Sequence, residues 1–333
     1  MIKKTILRVE HITKTFVSKK TLIHALTDVS FTMDRGETVG IVGESGCGKT
    51  TLGRCVVRAH DASAGSVFYT KTDGEEVDFL KIDPKAMRGI RRDIQMIFQD
   101  PYSSLDPRMT VFDIISEPLK ANFPKMPKPE LEAKVMDVAA KTGLNTSYLK
   151  RYPHAFSGGQ RQRIGIARAL VLNPRVIVCD EAVSALDVSI QAQVINLLKE
   201  LQRDMNLTYI FISHDLSVVE YISDRVGVMY LGKMAEYAET VELYSHPLHP
   251  YTEALLSAVP VADPDVKLQR LALSGEIPNP ANPPSGCYFH PRCRYCVEMC
   301  KQTAPEFIDY GNGHHVACHR AAELNLRRMN YGA

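Results

Sequence analysis

The sequence predicts an α/β protein whose sheet is mostly parallel and whose core is interrupted by a helical insertion. Two apolar runs are typical of strands buried on both faces, RVIVCDE and TYIFISHD, and a helical pattern lies between them. This alternation of strand and helix favours a parallel sheet. The chain has 333 residues, enough for one large domain with an appendage or for two domains.

The elements predicted before the insertion are strands, a loop and a helix. Short apolar runs alternate with polar turns over residues 1–42, which predicts strands with a turn at residues 34–36. A loop spans residues 43–51, and a helix begins at Thr50. The apolar run IQMIF predicts one further strand.

The predicted helical subdomain covers about residues 100–170. Prolines punctuate its first part, and a helix within it ends at Gly143. One face of that helix carries apolar residues at helical spacing: Leu131, Val135, Val138 and Ala139. A second stripe predicts a helix after RVIVCDE and consists of Ile190, Val194, Leu197, Leu198, Leu201 and Met205.

Composition changes near residue 245, which predicts a core domain of residues 1–245 and a C-terminal extension of residues 246–333. Before this boundary, VGVMYLG and KMAEYA predict a hairpin. After it, HPLHPYTEALLSAVP predicts a short helix and IPNPANPPSG a proline-rich linker. The rest of the extension is rich in cysteine.

Charge and hydropathy exclude several classes of function. The net charge is only +2, so no nucleic-acid partner is expected, and the short basic cluster at residues 88–92 is interpreted as a solvated face. No apolar run approaches the roughly 20 residues that a membrane helix needs. The N-terminal segment lacks the pattern of a signal peptide, so the protein is expected to stay in the cytosol.

The segment GESGCGKT, residues 43–50, matches the pattern of a phosphate-binding loop between a strand and a helix. Glycines let backbone N–H groups surround phosphate oxygens, and the helix N terminus favours an anion. Lys49 supplies a cation, and the hydroxyl of Thr50 can bind Mg²⁺. Cys47 is interpreted as a small residue that fits, with a redox role as the alternative. The predicted nucleotide contacts are Gly43, Ser45, Gly46, Gly48, Lys49, Thr50 and Thr51.

Two carboxylates end the predicted buried strand RVIVCDE. At that position Asp180 can hold Mg²⁺ through water, and Glu181 can polarise an attacking water molecule. Many strands end in this way, so the acid pair alone is weak evidence for a hydrolytic site. Together with the phosphate-binding loop it becomes strong evidence.

The segment FSGGQRQRIGIARAL begins a second helix with glycines and a capping serine, which suits an anion. Its residues Ser157, Gly158, Gly159 and Gln160 resemble the SGGQ signature of ABC ATPases. The resemblance implies that two such chains meet head to tail and bind ATP between the loop of one and the signature of the other. It also implies a core of mostly parallel sheet, an antiparallel β subdomain and an inserted helical subdomain that contacts a membrane subunit.

Other segments resemble further motifs of that family, and their roles are those that the resemblance implies. Gln99 resembles the glutamine that senses Mg²⁺ and the attacking water, and His214 the histidine that contacts the terminal phosphate. Asp187, in SALD, resembles the aspartate of the D-loop, and Phe16 the aromatic residue that stacks on adenine.

Longer segments resemble the ATPases of dipeptide and oligopeptide permeases, and VSALDVSIQAQ resembles their second, "F"-type subunit. The resemblance implies an ATP-hydrolysing subunit of a peptide importer at the cytoplasmic face of the membrane. Its expected partners are a "D"-type ATPase, two transmembrane permease subunits and an extracytoplasmic substrate-binding protein. Alternatives are another cargo (a nickel chelate, glutathione or an oligosaccharide), a regulatory subunit that does not hydrolyse ATP, or a DNA-repair ATPase.

Five of the eight cysteines crowd the end of the chain. Closely spaced thiolates suit zinc or an iron–sulfur cluster. The resemblance to permease ATPases implies a [4Fe–4S] cluster on Cys287, Cys293, Cys300 and Cys318, with Cys296 left over. Zinc and a metal-free lobe remain the alternatives.

Overall fold

The computed structural model describes residues 4–18, 21–100, 102–259 and 271–327. Parts of the predicted segments lie outside these residues. They are residues 1–3 and 19–20 of the predicted strands, Pro101 of the predicted helical subdomain, Pro260 of HPLHPYTEALLSAVP, and residues 261–270 and 328–333 of the predicted C-terminal extension.

The secondary structure comprises strands and helices, followed by short elements near the C terminus. The strands are β1 (Thr5–Ser18), β2 (Thr21–Asp34), β3 (Thr38–Val42), β4 (Ala64–Thr70), β5 (Glu76–Asp78), β6 (Ile94–Ile97), β7 (Val176–Asp180), β8 (Thr208–Ile212), β9 (Arg225–Tyr230), β10 (Lys233–Glu239), β11 (Ile308–Asp309) and β12 (His315–Val316). The helices are α1 (Lys49–Val56), α2 (Pro84–Asp93), α3 (Val111–Asn122), α4 (Lys128–Lys141), α5 (Gly158–Leu170), α6 (Val188–Met205), α7 (Leu216–Ile222), α8 (Thr240–Ser245), α9 (Pro250–Leu256) and α10 (Glu298–Gln302).

The chain divides into two compact units. Unit 1 contains Lys4 and residues 34–37 and 81–212, and unit 2 contains the remaining described residues. The boundary expected near residue 245 was inferred from composition and stays a prediction.

Unit 1 is built on three parallel strands in the order β8, β7, β6. Every residue of β7 and β8 is buried, which accounts for their uninterrupted apolar sequences. Val176 of β7 lies opposite Thr208 of β8 and Ile94 of β6, so the carboxyl ends of the three strands share one edge. The predicted parallel arrangement is confirmed for this unit.

The helices of unit 1 carry the predicted apolar faces. Helix α4 buries the four residues of the predicted stripe, and Gly143 follows the helix with φ +69°. Helix α5 contacts α3, α4 and α6. In α6 the middle of the predicted stripe is buried, whereas Ile190 and Met205 near its ends are half-buried.

Unit 2 contains two sheets. In the first, the strand order is β2, β1, β4, β5, and β4 runs antiparallel to both of its neighbours. In the second, β3 is parallel to β9, while β10, β12 and β11 continue the sheet with antiparallel pairings. The predicted hairpin is β9 and β10, and its two-residue turn has positive φ at Leu231 (45°) and Gly232 (80°).

The structure also contains elements that the sequence pattern left unassigned. Helix α2 lies just before the predicted strand IQMIF, and Asp83 caps it by accepting from the N–H groups of Lys85 and Ala86. Strand β12 extends the second sheet of unit 2 by pairing with β10. None of the helices in the described part of the chain is both long and apolar enough to cross a membrane.

Candidate functional site

The segment Gly43–Thr50 of unit 2 is a tight loop that leads from β3 into α1. Gly43, Gly46 and Gly48 have φ values of +147°, +79° and +106°. A Cβ atom on Gly43 would lie 2.2 Å from the carbonyl oxygen of Met229, and one on Gly48 would lie 2.5 Å from that of Ala25. Glycine is therefore required at both positions by conformation and by space.

Lys49 is the first residue of α1 and is buried. Its ammonium group donates to the carbonyl oxygen of Gly43 at 2.7 Å and to that of Glu44 at 3.1 Å. These contacts hold the positive charge against the loop, where a phosphate oxygen can replace the carbonyls as acceptor. Within the described residues no side chain caps the N terminus of α1, whose partial positive charge adds to that of Lys49.

Cys47 lies inside this loop and is buried. Burial raises the pKa of its thiol, although the neighbouring Lys49 acts in the opposite direction. A raised pKa disfavours the reactive thiolate, so the geometry favours the interpretation of Cys47 as a small packing residue.

His214 follows β8 and belongs to unit 2. The N–H of the preceding residue, Ser213, donates to the carbonyl oxygen of Ile41 in β3 at 3.1 Å. This bond places His214 beside the strand end from which the loop starts. The imidazole is exposed, and the next residue, Asp215, caps α7.

Phe16 lies in β1 and is half-buried. Its ring meets that of His60 edge to face at 5.6 Å, and the ammonium of Lys14 lies 4.9 Å from the ring centre. These contacts fix the orientation of the Phe16 ring on unit 2. The expected stacking of Phe16 on adenine stays a prediction.

In unit 1, two predicted catalytic side chains are in contact. Gln99 Nε2 donates to Glu181 Oε2 at 2.7 Å, although 82 residues separate the pair along the chain. The contact arises because β6 and β7 are neighbouring parallel strands, and both side chains follow their carboxyl ends. A glutamine that orients a carboxylate suits the activation of a water molecule.

The backbone turns sharply after β7. Asp180 is buried as the last residue of the strand, whereas Glu181 is half-buried and has φ +46°. A non-glycine residue at positive φ is uncommon and is often found at functional sites. The N–H of Glu181 donates to the carbonyl oxygen of Ile212 at 3.0 Å, and its carbonyl accepts from the Ser184 hydroxyl at 3.0 Å.

The SGGQ segment forms the N terminus of α5 in unit 1. Ser157 Oγ accepts from the Gln160 N–H at 3.4 Å, and Gln160 Oε1 accepts from the Ser157 N–H at 3.0 Å. This reciprocal pair is a capping box. Both side chains are exposed, so the capped turn is presented to solvent.

The SALD segment packs against this turn. Asp187 caps α6 by accepting from the Ile190 N–H at 3.0 Å. A Cβ atom on Gly159 would lie 2.5 Å from Cγ2 of Ile190, and one on Gly158 would lie 3.6 Å from Leu186. The glycines of the first motif thus allow close approach of the second.

Four cysteines line one cavity in unit 2: Cys287, Cys293, Cys300 and Cys318. Their thiols are free, and burial raises the pKa of Cys293 to about 12 and that of Cys318 to about 11. Cys296 is not among the residues that line this cavity. However, no group of three or more His, Cys, Asp or Glu side chains is arranged to hold a metal ion within the described residues. The predicted metal-binding lobe therefore lacks a preformed ligand set, because the four thiols share a cavity without forming a coordination site.

One further contact to the loop was not predicted from the sequence. Arg292 forms two hydrogen bonds to the carboxylate of Glu44, at 2.6 and 3.0 Å, and Tyr251 Oη accepts from the Glu44 N–H at 2.8 Å. The partners are 248 and 207 residues apart along the chain. No local pattern reveals a contact of that separation.

Comparisons with known proteins agree with these motifs. A family model described as "ABC transporter" matches residues 26–184, and one described as "Oligopeptide/dipeptide transporter, C-terminal region" matches residues 235–300. Among solved structures, a dimeric form of the ATP-binding cassette MJ0796 bound to ADP and Pi is 28% identical with a TM-score of 0.62, covering 70% of this chain and 98% of that chain. CbiO1 from Clostridium perfringens is 29% identical with a TM-score of 0.63, covering 73% of this chain and 91% of that chain. These similarities confirm an ABC ATPase α/β fold with a mixed sheet and helices.

Curated relatives match most of the chain. The oligopeptide transport ATP-binding protein AppF of Bacillus subtilis is 54% identical over 299 residues, 89% of both chains. OppF of Haemophilus influenzae is 51% identical over 305 residues, which are 91% of this chain and 90% of that protein. The dipeptide transport ATP-binding protein DppF of Escherichia coli is 50% identical over 297 residues, 89% of this chain and 87% of that protein. The chain therefore belongs to the family of ABC-type ATPases that form the ATP-binding subunits of oligopeptide and dipeptide transporters.

Proposed function

We propose that this chain is the motor subunit of an ABC importer and couples ATP binding and hydrolysis to the uptake of di- and oligopeptides. The observation that carries the proposal is the extent of the similarity to peptide-transport ATP-binding proteins. It reaches 54% identity over 89% of the chain, and a model of the oligopeptide/dipeptide transporter C-terminal region matches residues 235–300. A match to the ATPase core alone would leave the cargo class open.

The proposed partners and location are supported by the same relatives, whose names describe transport ATP-binding proteins. We place the chain at the cytoplasmic face of the cell membrane, held there by two transmembrane permease subunits. A second, "D"-type ATPase would complete the motor, and an extracytoplasmic binding protein would deliver the peptide.

In the proposed site the loop at residues 43–51 binds the phosphates of ATP. Lys49 exchanges its two carbonyl acceptors for phosphate oxygens, and the N terminus of α1 adds favourable charge. Ser45 and Thr51 lie on the same loop and helix start and complete the proposed phosphate contacts. Phe16 is proposed to contact adenine.

Hydrolysis is assigned to the pair Gln99 and Glu181. Glu181 accepts a proton from the attacking water, and Gln99 orients the carboxylate through the 2.7 Å hydrogen bond between the two side chains. His214 is proposed to contact the terminal phosphate. Bound Mg²⁺ would neutralise phosphate charge, and Thr50, Gln99 and Asp180 supply oxygen atoms of the kind that it prefers.

The capped turn of α5 is proposed to act on the nucleotide of a partner ATPase. Ser157 and Gln160 are exposed there, Gly158 is half-buried and Gly159 is buried, and the exposed Asp187 lies on the adjoining segment. Because ATP would contact both chains, it would favour their closed association over the open one by differential affinity.

The decisive experiment for hydrolysis is ATPase activity of the chain assembled with its permease subunits and partner ATPase. We expect Glu181→Gln to lower kcat by roughly 100-fold or more while ATP still binds, because the amide cannot accept the proton. The matched control is Glu200→Gln, an exposed position on α6. Unchanged turnover in Glu181→Gln would reject the catalytic role.

The cargo class is tested separately by uptake of labelled peptides into vesicles or cells that contain the complete transporter. We expect uptake of di- and oligopeptides that is lost in Glu181→Gln. Transport of a nickel chelate, glutathione or an oligosaccharide, with no uptake of peptides, would reject the peptide assignment and leave the ATPase assignment intact.

For the cysteine-lined cavity we propose a metal site that forms when the four thiols turn inward, with a [4Fe–4S] cluster as the first choice and Zn²⁺ as the alternative. Support comes from the four free cysteines that line the cavity and from the chemistry of thiolate ligands. Anaerobic reconstitution should yield a visible cluster spectrum that Cys300→Ser abolishes and Cys296→Ser preserves. Stoichiometric zinc without that spectrum would favour Zn²⁺, and no retained metal would reject both.

A further inference from the structure

Glu44, the second residue of the phosphate-binding loop, is held at its side chain and at both of its backbone polar groups. Its carboxylate accepts two hydrogen bonds from Arg292, and its N–H donates to Tyr251 Oη. Its carbonyl oxygen accepts from the Cys47 N–H at 3.2 Å and from the Lys49 ammonium at 3.1 Å. The peptide planes on both sides of Glu44 are thereby fixed, which decides where the neighbouring N–H groups of the loop point.

The ion pair between Arg292 and Glu44 is stronger than a single contact would be, because it consists of two charge-assisted hydrogen bonds. Arg292 and Glu44 are joined by two hydrogen bonds, an arrangement that fixes orientation as well as distance. The Arg292 side chain is only 6% exposed and that of Glu44 is 24% exposed, so solvent screens the pair less than a surface pair. Loss of one partner would leave the other charge partly buried and unpaired.

Arg292 is itself rigidly placed. It ends a 3-10 turn of His290–Arg292, and its backbone N–H donates to the carbonyl oxygen of Phe289 at 3.0 Å. Phe289 packs on Tyr251 with 5.3 Å between ring centres. The two groups that hold Glu44 therefore belong to one packed cluster, formed by α9 and the cysteine-rich segment.

We infer that Arg292 is a positioning residue of the nucleotide site, and that the C-terminal segment orients the phosphate-binding loop through Glu44. The inference rests on the proposed role of this loop in binding ATP. Arg292 does not touch the nucleotide in this scheme. It fixes Glu44, whose carbonyl oxygen in turn helps to hold Lys49. The alternative is that the pair only stabilises the packing of the C-terminal segment within unit 2 and leaves nucleotide affinity unaffected.

The test measures equilibrium binding of a fluorescent ATP analogue with Mg²⁺ by the full-length chain, together with thermal unfolding. We expect Arg292→Met to raise Kd about tenfold, because a disordered loop must be reordered on binding. Glu44→Gln should also raise Kd about tenfold. The Kd of the double variant should not exceed the larger Kd of the two single variants, because both substitutions remove the same ion pair. In the assembled transporter the effect should appear in KM for ATP more than in kcat.

The matched control is Arg294→Met, which removes an exposed arginine from the same segment and should leave Kd unchanged. If Arg292→Met fails to fold, Arg292→Lys replaces it. That variant keeps the charge but loses the two-bond geometry, so an intermediate rise in Kd is expected. Unchanged Kd in a folded Arg292 variant, with or without lowered thermal stability, would overturn the inference.

Lys49→Ala separates this inference from the proposed function. If Lys49→Ala leaves nucleotide binding unchanged, the proposed role of the loop fails. If Lys49→Ala abolishes binding while Arg292 variants bind normally, the loop assignment survives and only the positioning role of Arg292 is rejected.

Discussion

Two helices of this protein begin at glycine-rich segments, and their first turns are constructed in opposite ways. Helix α1 begins after Gly48, a residue at φ +106°, and no described side chain caps it. Helix α5 begins after Ser157, and Ser157 and Gln160 close its N terminus with a capping box. No described side chain therefore competes with an anion for the first turn of α1, whereas the first turn of α5 is capped by its own sequence before any partner arrives.

The glycines differ in the same way. Gly43 and Gly48 face backbone carbonyl oxygens, which cannot move aside, and both have positive φ. Gly159 faces a side-chain atom instead, the Cγ2 methyl of Ile190. One motif needs glycine for its backbone conformation, and the other needs it for close packing between two helices. Similar compositions thus encode a loop that leads into an uncapped helix and a turn that carries its own cap.

The uncapped first turn of α1, together with the loop before it, is called the open turn below. The largest expected effect comes from removing Lys49, the cation of the open turn. Lys49→Ala should weaken ATP binding by roughly 100-fold or more, since a buried charge-assisted contact to phosphate is lost. Equilibrium binding of a fluorescent ATP analogue measures this change. Lys125→Ala, at an exposed position, is the matched control and should bind normally. If Lys49→Ala and Lys125→Ala bind the analogue with equal affinity, the first turn of α1 does not differ from that of α5 through a role of Lys49 in ATP binding.

The next effect tests the backbone of the open turn. Gly48→Ala should lower the free energy of unfolding by about 2 kcal/mol, because the residue is forced into positive φ and its Cβ meets the carbonyl oxygen of Ala25. Urea denaturation measures the change. Gly46→Ala is the comparison, because it has positive φ but nothing described within 4 Å of the added Cβ. A larger loss in Gly46→Ala would contradict the role given to the carbonyl contact.

A smaller effect tests the packing of the capped turn. Gly159→Ala should cost about 1–2 kcal/mol through overpacking against Ile190, and Ile190→Ala in the same chain should recover part of that loss. Denaturation of the two single variants and the double variant measures the coupling. Strict additivity would show that the two motifs do not depend on each other.

The smallest effect concerns the cap itself. Ser157→Ala should lower the free energy of unfolding by about 1 kcal/mol and leave ATP binding by the isolated chain unchanged. If the proposed role in the dimer is right, turnover of the assembled transporter should also fall. Weaker ATP binding by the isolated variant would contradict the separation between the two turns.

Local patterns predicted much of this molecule because they report burial and chain reversal directly. The buried strands β7 and β8, the apolar face of α4 and the hairpin of β9 and β10 all followed from periodicity and turn residues. Helix α2 was missed although Asp83 and Pro84 form a recognisable start, because its apolar residues are few and its polar face is long.

Some site geometry could not be predicted in this way. Gln99 and Glu181 each carried a motif, but their hydrogen bond depends on the pairing of β6 with β7. Arg292 carried no motif at all, and its position beside Glu44 depends on how the C-terminal segment packs within unit 2. Contacts of long sequence separation are selected by the free energy of the whole unit, which no short window of residues contains.

The sequence by itself determined the kind of chemistry, because glycine, lysine and carboxylate spacing acts over a few residues: a loop for phosphate, a second capped turn and a pair of acids. It also determined which strands are buried, since apolar runs cannot remain in water. Only the tertiary structure decided that Gly159 meets Ile190, that Gln99 meets Glu181 and that Arg292 holds the loop. These are contacts between distant segments, and they exist because packing brings those segments together once local structure has formed.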